Sequence, residues 1–211
     1  MPLLGAFLWY INLMFKTVQQ IELCAEPPDV ERCFDILSQT DPEAPFALFG
    51  GAARDADYAA HYNEDRPVND YDLRVWLPEE DHDERIRQFT SRMGIVARTE
   101  IREVPSAGTG RIRYCLNVNG AEMDVSIRPM PRISLAIASV AIERASDSDI
   151  GLSSIAMASD RTAWATPEYL EDCNNRTLTV YPRANAERRL REYTERMQQK
   201  FPNHIVQSWQ S

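Results

Sequence analysis

Leu48-Phe49-Gly50-Gly51-Ala52-Ala53-Arg54-Asp55, followed downstream by Asn69-Asp70-Tyr71-Asp72-Leu73, is the stretch whose reading decides the fold. The apolar run at residues 46–49 predicts a short buried strand, which stops at the glycine pair and gives way to an alanine-rich helix over 52–61. A strand passing through glycines into a helix start directs free backbone N–H groups and the positive helix end at one point. That arrangement suits an anion such as phosphate. Asp70-Tyr71-Asp72 then opens a second apolar strand over 73–77. Carboxylates at i and i+2 of a strand share a face, with about 6–7 Å of chain between them. A phosphate cradle beside paired carboxylates is what metal-dependent phosphoryl or nucleotidyl transfer requires.

Outward from this stretch, residues 29–38 fit an amphipathic helix with Val30, Cys33, Phe34 and Leu37 on one face. Residues 79–93 read as a charged surface helix ending at Gly94, 95–104 as a strand and 106–110 as a loop. Alternation over 111–118 and 121–127, joined by Asn119-Gly120, predicts a hairpin, because both turn residues accept positive φ. In its second strand Met123, Val125 and Ile127 take the core face and Glu122, Asp124 and Ser126 the other, which delivers Asp124 to the open face of the sheet. A buried helix is expected over 133–145 and a strand over 150–158. A helix is capped by Thr166 with Pro167 at its first position, a strand covers 178–181, and a charged helix covers 184–200, closing at Phe201-Pro202.

Asp70, Asp72 and Asp124 are therefore expected to converge. Two such charges about 4 Å apart repel by about 4 kcal/mol at an effective dielectric near 20. Without a cation, one of them takes up a proton. With Mg²⁺ (two ions expected, Mn²⁺ an alternative) repulsion becomes coordination. One ion, held by Asp70 and Asp72, would grip a triphosphate; the other, sharing Asp124, would lower the pKa of an acceptor hydroxyl. Gly50 and Gly51 would let the backbone approach the β- and γ-phosphates. Arg54 suits a bidentate phosphate contact or the pinning of the carboxylates, and Asp55 the capping or bracing of the turn. Each feature taken singly also has a plain reading: a tight turn, a helix-surface ion pair, a polar strand start.

These residues resemble the poly(A) polymerase head domain, shared by the class II CCA-adding enzymes within the polymerase β-like nucleotidyltransferases. That family's pattern is Gly-Gly-x-x-Arg-Asp, then Arg-x-x-x-Asp-x-Asp-Leu. Here it reads Gly50-Gly51-Ala52-Ala53-Arg54-Asp55, then Arg66-Pro67-Val68-Asn69-Asp70-Tyr71-Asp72-Leu73, with a longer gap between Asp55 and Arg66 than the family usually has. The resemblance covers roughly residues 44–182. It implies an α/β (α+β) nucleotidyltransferase fold, a mixed, mostly antiparallel sheet flanked by helices. It also implies an NTP substrate and metal ligation by Asp70 and Asp72, with Asp124 completing the site through its strand position. Gly50, Gly51, Arg54, Asp55 and Arg66 become nucleotide-binding candidates. A partial match at 147–156 lies where the family carries Arg-Arg-Asp-Phe-Thr-Ile-Asn-Ala; Arg144 precedes it, Asp149 and the apolar run persist, and Ser replaces Asn. That segment contacts sugar and phosphates in the family, which adds Asp149. Glu171-Asp172 followed by Arg176 mimics a nucleobase-selecting motif at a spacing one residue too long, and is set aside.

The chain of 211 residues is long enough for one well-cored domain, read as an apolar segment and helix (1–43), the head domain (44–182) and a C-terminal helix and tail (183–211). A formal charge of −9 argues against indiscriminate polynucleotide binding. Cys24, Cys33, Cys115 and Cys173 lack any Cys-x-x-Cys spacing, as expected of reduced thiols in a cytoplasmic protein, and the scattered His61, His82 and His204 are given no catalytic role. Residues 3–15 are strongly apolar but too short for a bilayer span and lack the basic start of a secretory signal. They are read as a core-packing element, or as translation upstream of a true start at Met14, and no membrane contact is expected. After residue 182 Arg183, Arg188, Arg189, Arg191, Arg196 and Lys200 alternate with Glu187, Glu192 and Glu195, a solvated helix of mixed charge; the neck, body and tail that templated CCA addition needs are not expected. The expected reaction moves a nucleoside monophosphate from an NTP to an acceptor hydroxyl with release of pyrophosphate. The acceptor could be an RNA 3′ end, a protein or a small molecule. The alternatives are a non-catalytic nucleotide-binding module and a metal-dependent phosphohydrolase, the latter weakened by the absence of a His-Asp pair.

Overall fold

The structure is a computed structural model described at residues 17–105, 112–130, 137–181 and 187–208. The apolar segment at 3–15, the loop at 106–110, the start of the helix expected from 133, the start of the helix expected from 184 and Arg183 lie outside these residues. In chain order the elements are β1 (Gln19–Ile21), α1 (Val30–Thr40), β2 (Phe46–Phe49), α2 (Gly51–Tyr62), β3 (Asp70–Pro78), α3 (His82–Ala97), β4 (Arg102–Pro105), β5 (Ile112–Val118) and β6 (Ala121–Met130). There follow α4 (Ile137–Ser146), a 3-10 turn (Gly151–Ser153), β7 (Ile155–Ala158), β8 (Ala163–Ala165), α5 (Pro167–Asn175), β9 (Thr177–Val180), α6 (Glu187–Lys200) and β10 (Ile205–Ser208). Eight strands form one sheet in the order β1-β8-β7-β2-β3-β6-β5-β4. Every neighbouring pair is antiparallel except β3 and β6, which run parallel. The expected mixed, mostly antiparallel sheet flanked by helices is what forms.

Alternation decides which face is covered. On one face Tyr71, Leu73, Val75, Met123 and Val125 are fully buried, and α1, α2 and α3 bring Val30, Phe34, Ala52, Tyr58, Phe89 and Met93 to them in one continuous core. Met197 and Phe201 join that core from the end of α6. On the other face α4 lies over β2 and β7, where alanines on both sides (Ala47, Ala156 and Ala158 against Ala141 and Ala145) permit close approach beside Trp76 and Val140. The β3–β6–β5 half of that face is left to polar side chains, Asp70, Asp72, Glu122 and Asp124 among them. No described helix is long and apolar enough to cross a membrane.

Two expected boundaries are corrected. Helix α3 does not stop at Gly94 but continues to Ala97, and the strand expected over 95–104 is confined to Arg102–Pro105. The helix ends where Arg98 turns left-handed (φ 53°) and Thr99 N–H returns to the Gly94 carbonyl at 3.2 Å. Gly94 serves this return rather than the stop, because a Cβ there would lie 3.3 Å from both Thr99 O and Ile101 Cγ1. The strand expected over 150–158 is also divided: Ile150 makes an isolated antiparallel bridge to Val180, the 3-10 turn Gly151–Ser153 follows, and β7 starts at Ile155.

Against this turn lies the buried Asp172 carboxylate. It accepts from Thr179 N–H at 2.8 Å, Thr179 Oγ1 at 2.7 Å and Thr177 Oγ1 at 2.6 Å, and the turn packs directly against it. A Cβ on Gly151 would stand 2.5 Å from Asp172 Oδ2, well inside contact distance. Gly151→Ala is therefore expected to cost about 1–3 kcal/mol, read as a lowered urea midpoint at unchanged slope. An unchanged midpoint would mean that the turn yields without disturbing the Asp172 network.

Candidate active site

The register of the one parallel pair within the eight-stranded sheet builds the site. Asp70 stands opposite Glu122 and Asp72 opposite Asp124, on strands about 4.8 Å apart, so all four carboxylates share a face. On the other side Asp72 pairs with Phe49, the residue before the glycine pair. Gly50 makes the turn at φ 76°, where a side chain is disfavoured, and a Cβ there would lie 3.1 Å from Asp72 Oδ2. A Cβ on Gly51, the first residue of α2, would lie 3.7 Å from Asp70 Oδ1. The start of α2 thus abuts Asp70 and Asp72, and Asp124 stands across from Asp72 on the next strand.

The electrostatics record crowding of like charge. Asp72 is pushed up to about 7 by burial, then by Asp70 and Asp124, with Arg113 and Arg144 opposing. Asp124, 6 % exposed, is raised chiefly by burial, against the pull of Arg113, with which it forms an ion pair. As the side chains stand, no three His, Cys, Asp or Glu residues among the described residues are gathered closely enough to hold a metal ion. The donor set nevertheless fits a hard divalent cation in kind: carboxylate oxygens on one face, with Asp72 raised to about 7 by burial and then by its neighbours. Asp124 meets Arg113 through Oδ2, which leaves its Oδ1 outside that ion pair.

The other expected site residues divide. Arg54 and Asp55 are a buried pair rather than a surface one, being 4 % and 2 % exposed. Arg54 Nε donates to Asp55 Oδ1 at 2.8 Å and its Nη1 to Ser153 Oγ at 3.0 Å and Met197 Sδ at 3.3 Å, while Lys200 Nζ binds the second Asp55 oxygen. The pair braces α2 against the 3-10 turn and α6. Arg66 stands beyond the far end of α2, a helix about 18 Å long, where it donates to Glu64 and to the Lys200 carbonyl at 3.2 Å and lies over the Tyr58 and Phe201 rings. Asp149 sits after α4, where its carbonyl accepts the Tyr181 N–H at 3.0 Å.

Arginines are what the motif reading left out. Arg74 follows Asp72 by two residues on β3, Arg128 follows Asp124 by four on β6, and Arg113 on β5 faces Ser126, so all three share the carboxylate face by simple alternation. Arg144 reaches the same place from the end of α4, its guanidinium 4.0 Å from the Phe49 ring centre. Burial and the charges of Arg144 and Arg128 bring Arg74 down to about 9. The face therefore carries an acidic band at the glycine turn and a basic band behind it.

No protein-family model matches the chain, and no curated protein matches it. Among solved structures, a CCA-adding enzyme in complex with CTP is similar in fold, with 15 % identity over 85 % of this chain and 40 % of that one, at a TM-score of 0.52. The Bacillus stearothermophilus CCA-adding enzyme in complex with CTP aligns at 20 % identity over 81 % of this chain and 37 % of that one, at a TM-score of 0.44. A tRNA nucleotidyltransferase complexed with a primer tRNA and an incoming ATP analog aligns at 13 % identity over 70 % of this chain and 37 % of that one, at a TM-score of 0.40. This chain spans about two-fifths of the length of the first of these enzymes. The fold is that of the CCA-adding-like nucleotidyltransferases, as the glycine pair and the Asp-x-Asp strand led one to expect.

Proposed function

We propose that the chain is a nucleotidyltransferase module that moves a nucleoside monophosphate from an NTP to an acceptor hydroxyl and releases pyrophosphate. The observation that carries this reading is the meeting of Asp70, Asp72 and Asp124 on one sheet face beside the Gly50–Gly51 turn. Gly50 and Gly51 leave the start of α2 open to a phosphate, whose charge its backbone N–H groups and dipole favour. Asp70 and Asp72 would hold a divalent cation, Mg²⁺ by preference for oxygen ligands, and Asp124 would share it. Bound there, the cation supplies charge neutralisation between carboxylates and phosphates and acidifies the acceptor hydroxyl. Asp124 would orient that hydroxyl, with its own carboxylate held by the ion pair to Arg113.

The test is incubation with each α-labelled NTP, Mg²⁺ and total cell extract, followed through label transfer and pyrophosphate release. Transfer of label with stoichiometric pyrophosphate supports the reading. Phosphate release without transfer would make the chain a phosphohydrolase. The engagement of Asp124 by Arg113 favours one second reading, a nucleotide-binding module without chemistry. It would show Mg²⁺-dependent NTP binding and no pyrophosphate.

A further inference from the structure

We infer that Arg74, Arg128 and Arg144 form a subsite for a phosphate group on the sheet face, adjoining the Asp70–Asp72–Asp124 cluster. The inference rests on the proposed function for its place in a reaction, but its geometry stands alone. Phe49, the residue before Gly50, has the Arg144 guanidinium 4.0 Å from its ring centre and that of Arg74 5.4 Å away, so two cations flank one aromatic ring at the mouth of the glycine turn. Arg74 also lies 5.9 Å from the Trp76 ring, and its Nε donates to Ser126 Oγ at 3.4 Å. Among the described residues it makes no ion pair. Arg144 gives its Nη1 to Asp147 at 2.7 Å, and its Nε is buried with no hydrogen-bond partner. The Nε of Arg113, whose Nη1 is on Asp124, is buried and unpartnered in the same way.

Buried guanidinium N–H groups and crowded cations are costly unless an anion meets them. The acids acting on this band are Glu143 of α4, Asp147 just after it and Asp72 of β3, and even so the buried Nε of Arg144 is left without a partner. A tetrahedral oxyanion matches the planar forks of several arginines at once, which a single carboxylate does not. Arg74 lies two residues along β3 from Asp72, about 7 Å, which is within reach of a substrate seated on the carboxylates. Two sources share this chemistry: the polyphosphate tail of the nucleotide, and a phosphate carried by the acceptor. Arg66, a nucleotide-binding candidate in the sequence, is engaged with Glu64 and the Lys200 carbonyl, and the basic band lies closer to the carboxylates along β3.

The test is calorimetric titration of the full chain with pyrophosphate in the presence of EDTA, so that no divalent cation takes part. The wild-type chain is expected to bind. Arg74→Met and Arg144→Met are each expected to lose at least tenfold in affinity, Arg74→Lys to lose less, and Asp70→Asn to bind at least as tightly, because it removes a repelling charge. Arg191→Ala, on the exposed side of α6, is expected to bind as the wild type does. Absence of binding by the wild-type chain, or wild-type affinity in a folded Arg144→Met or Arg74→Met chain, overturns the subsite. Should a methionine variant fail to fold, Arg74→Lys decides: wild-type affinity there rejects the subsite. ATP titrated under the same conditions separates the sources. A matching loss in Arg144→Met assigns the subsite to the nucleotide tail, and an unchanged ATP affinity assigns it to the acceptor phosphate. A chain that binds pyrophosphate through these arginines yet transfers no nucleotide keeps the subsite and loses the reaction. One that transfers nucleotide with arginine-independent binding loses the subsite alone.

Discussion

Asp72→Asn is expected to reduce nucleotidyl transfer by about a thousandfold or more, the several kcal/mol that a correctly held divalent cation contributes to such a step. The same change is expected to stabilise the metal-free protein at neutral and alkaline pH. Asp72 ionises near its ordinary 3.8 in the unfolded chain and only at about 7 in the folded one, because burial and the charges of Asp70 and Asp124 oppose its ionisation. Between those values the folded state holds a proton that the unfolded state has released, so wild-type stability falls as pH rises through this window and is level above it. The fall is on the order of 4 kcal/mol, one pKa unit being worth about 1.4 kcal/mol. Asn carries no charge at any of these pH values, so the advantage of the variant over wild type should be absent at pH 4, grow to pH 7 and stay constant beyond. Urea midpoints in EDTA at a series of pH values measure it. Parallel curves for the two proteins would remove Asp72 from the repelled cluster, and undiminished transfer would remove it from the chemistry.

The parts of this site legible in the sequence are those fixed by strand alternation. Tyr71, Leu73 and Val75 demand the core, and so place Asp70 and Asp72 on the other face; Met123 and Val125 do the same for Asp124. Which residue of β6 meets which residue of β3 was not legible, since a parallel pairing is set by the whole sheet rather than by a local turn. The arginines obey the same alternation, yet an arginine two residues past a motif reads as a solvated edge until α4 is seen to lie beside it. The burial of Arg54 and Asp55 was not legible for a related reason: it comes from Met197 and Lys200, more than a hundred residues away along the chain. Gly94 carried a local stop signal, which the helix overran because its return loop needed the missing Cβ one turn before the cap. Strands β1, β8 and β10, of three or four residues each, are too short for alternation to announce them.

Arg54→Met is expected to cost about 3–5 kcal/mol of stability, the usual penalty for leaving one member of a buried ion pair behind. Asp55 would keep Lys200, whose side chain is 41 % exposed and screened by water, as its cation, while the oxygen that now accepts from Arg54 Nε at 2.8 Å would face the apolar side of Met197 and the Ser153 turn. Removing the second charge should relieve most of this, so the double variant Arg54→Met/Asp55→Asn is expected to lie well above the single one, with a coupling of 1 kcal/mol or more, roughly the range of contacting residues. Guanidinium unfolding of wild type, both single variants and the double variant closes the cycle. A phosphate-binding role for Arg54 gives the opposite pattern: weakened NTP binding, little loss of stability, and no rescue by Asp55→Asn. The burial of Arg54 beneath α6 favours the first pattern, because its Nε and Nη1 are already bonded to a carboxylate, a hydroxyl and a thioether of the protein itself.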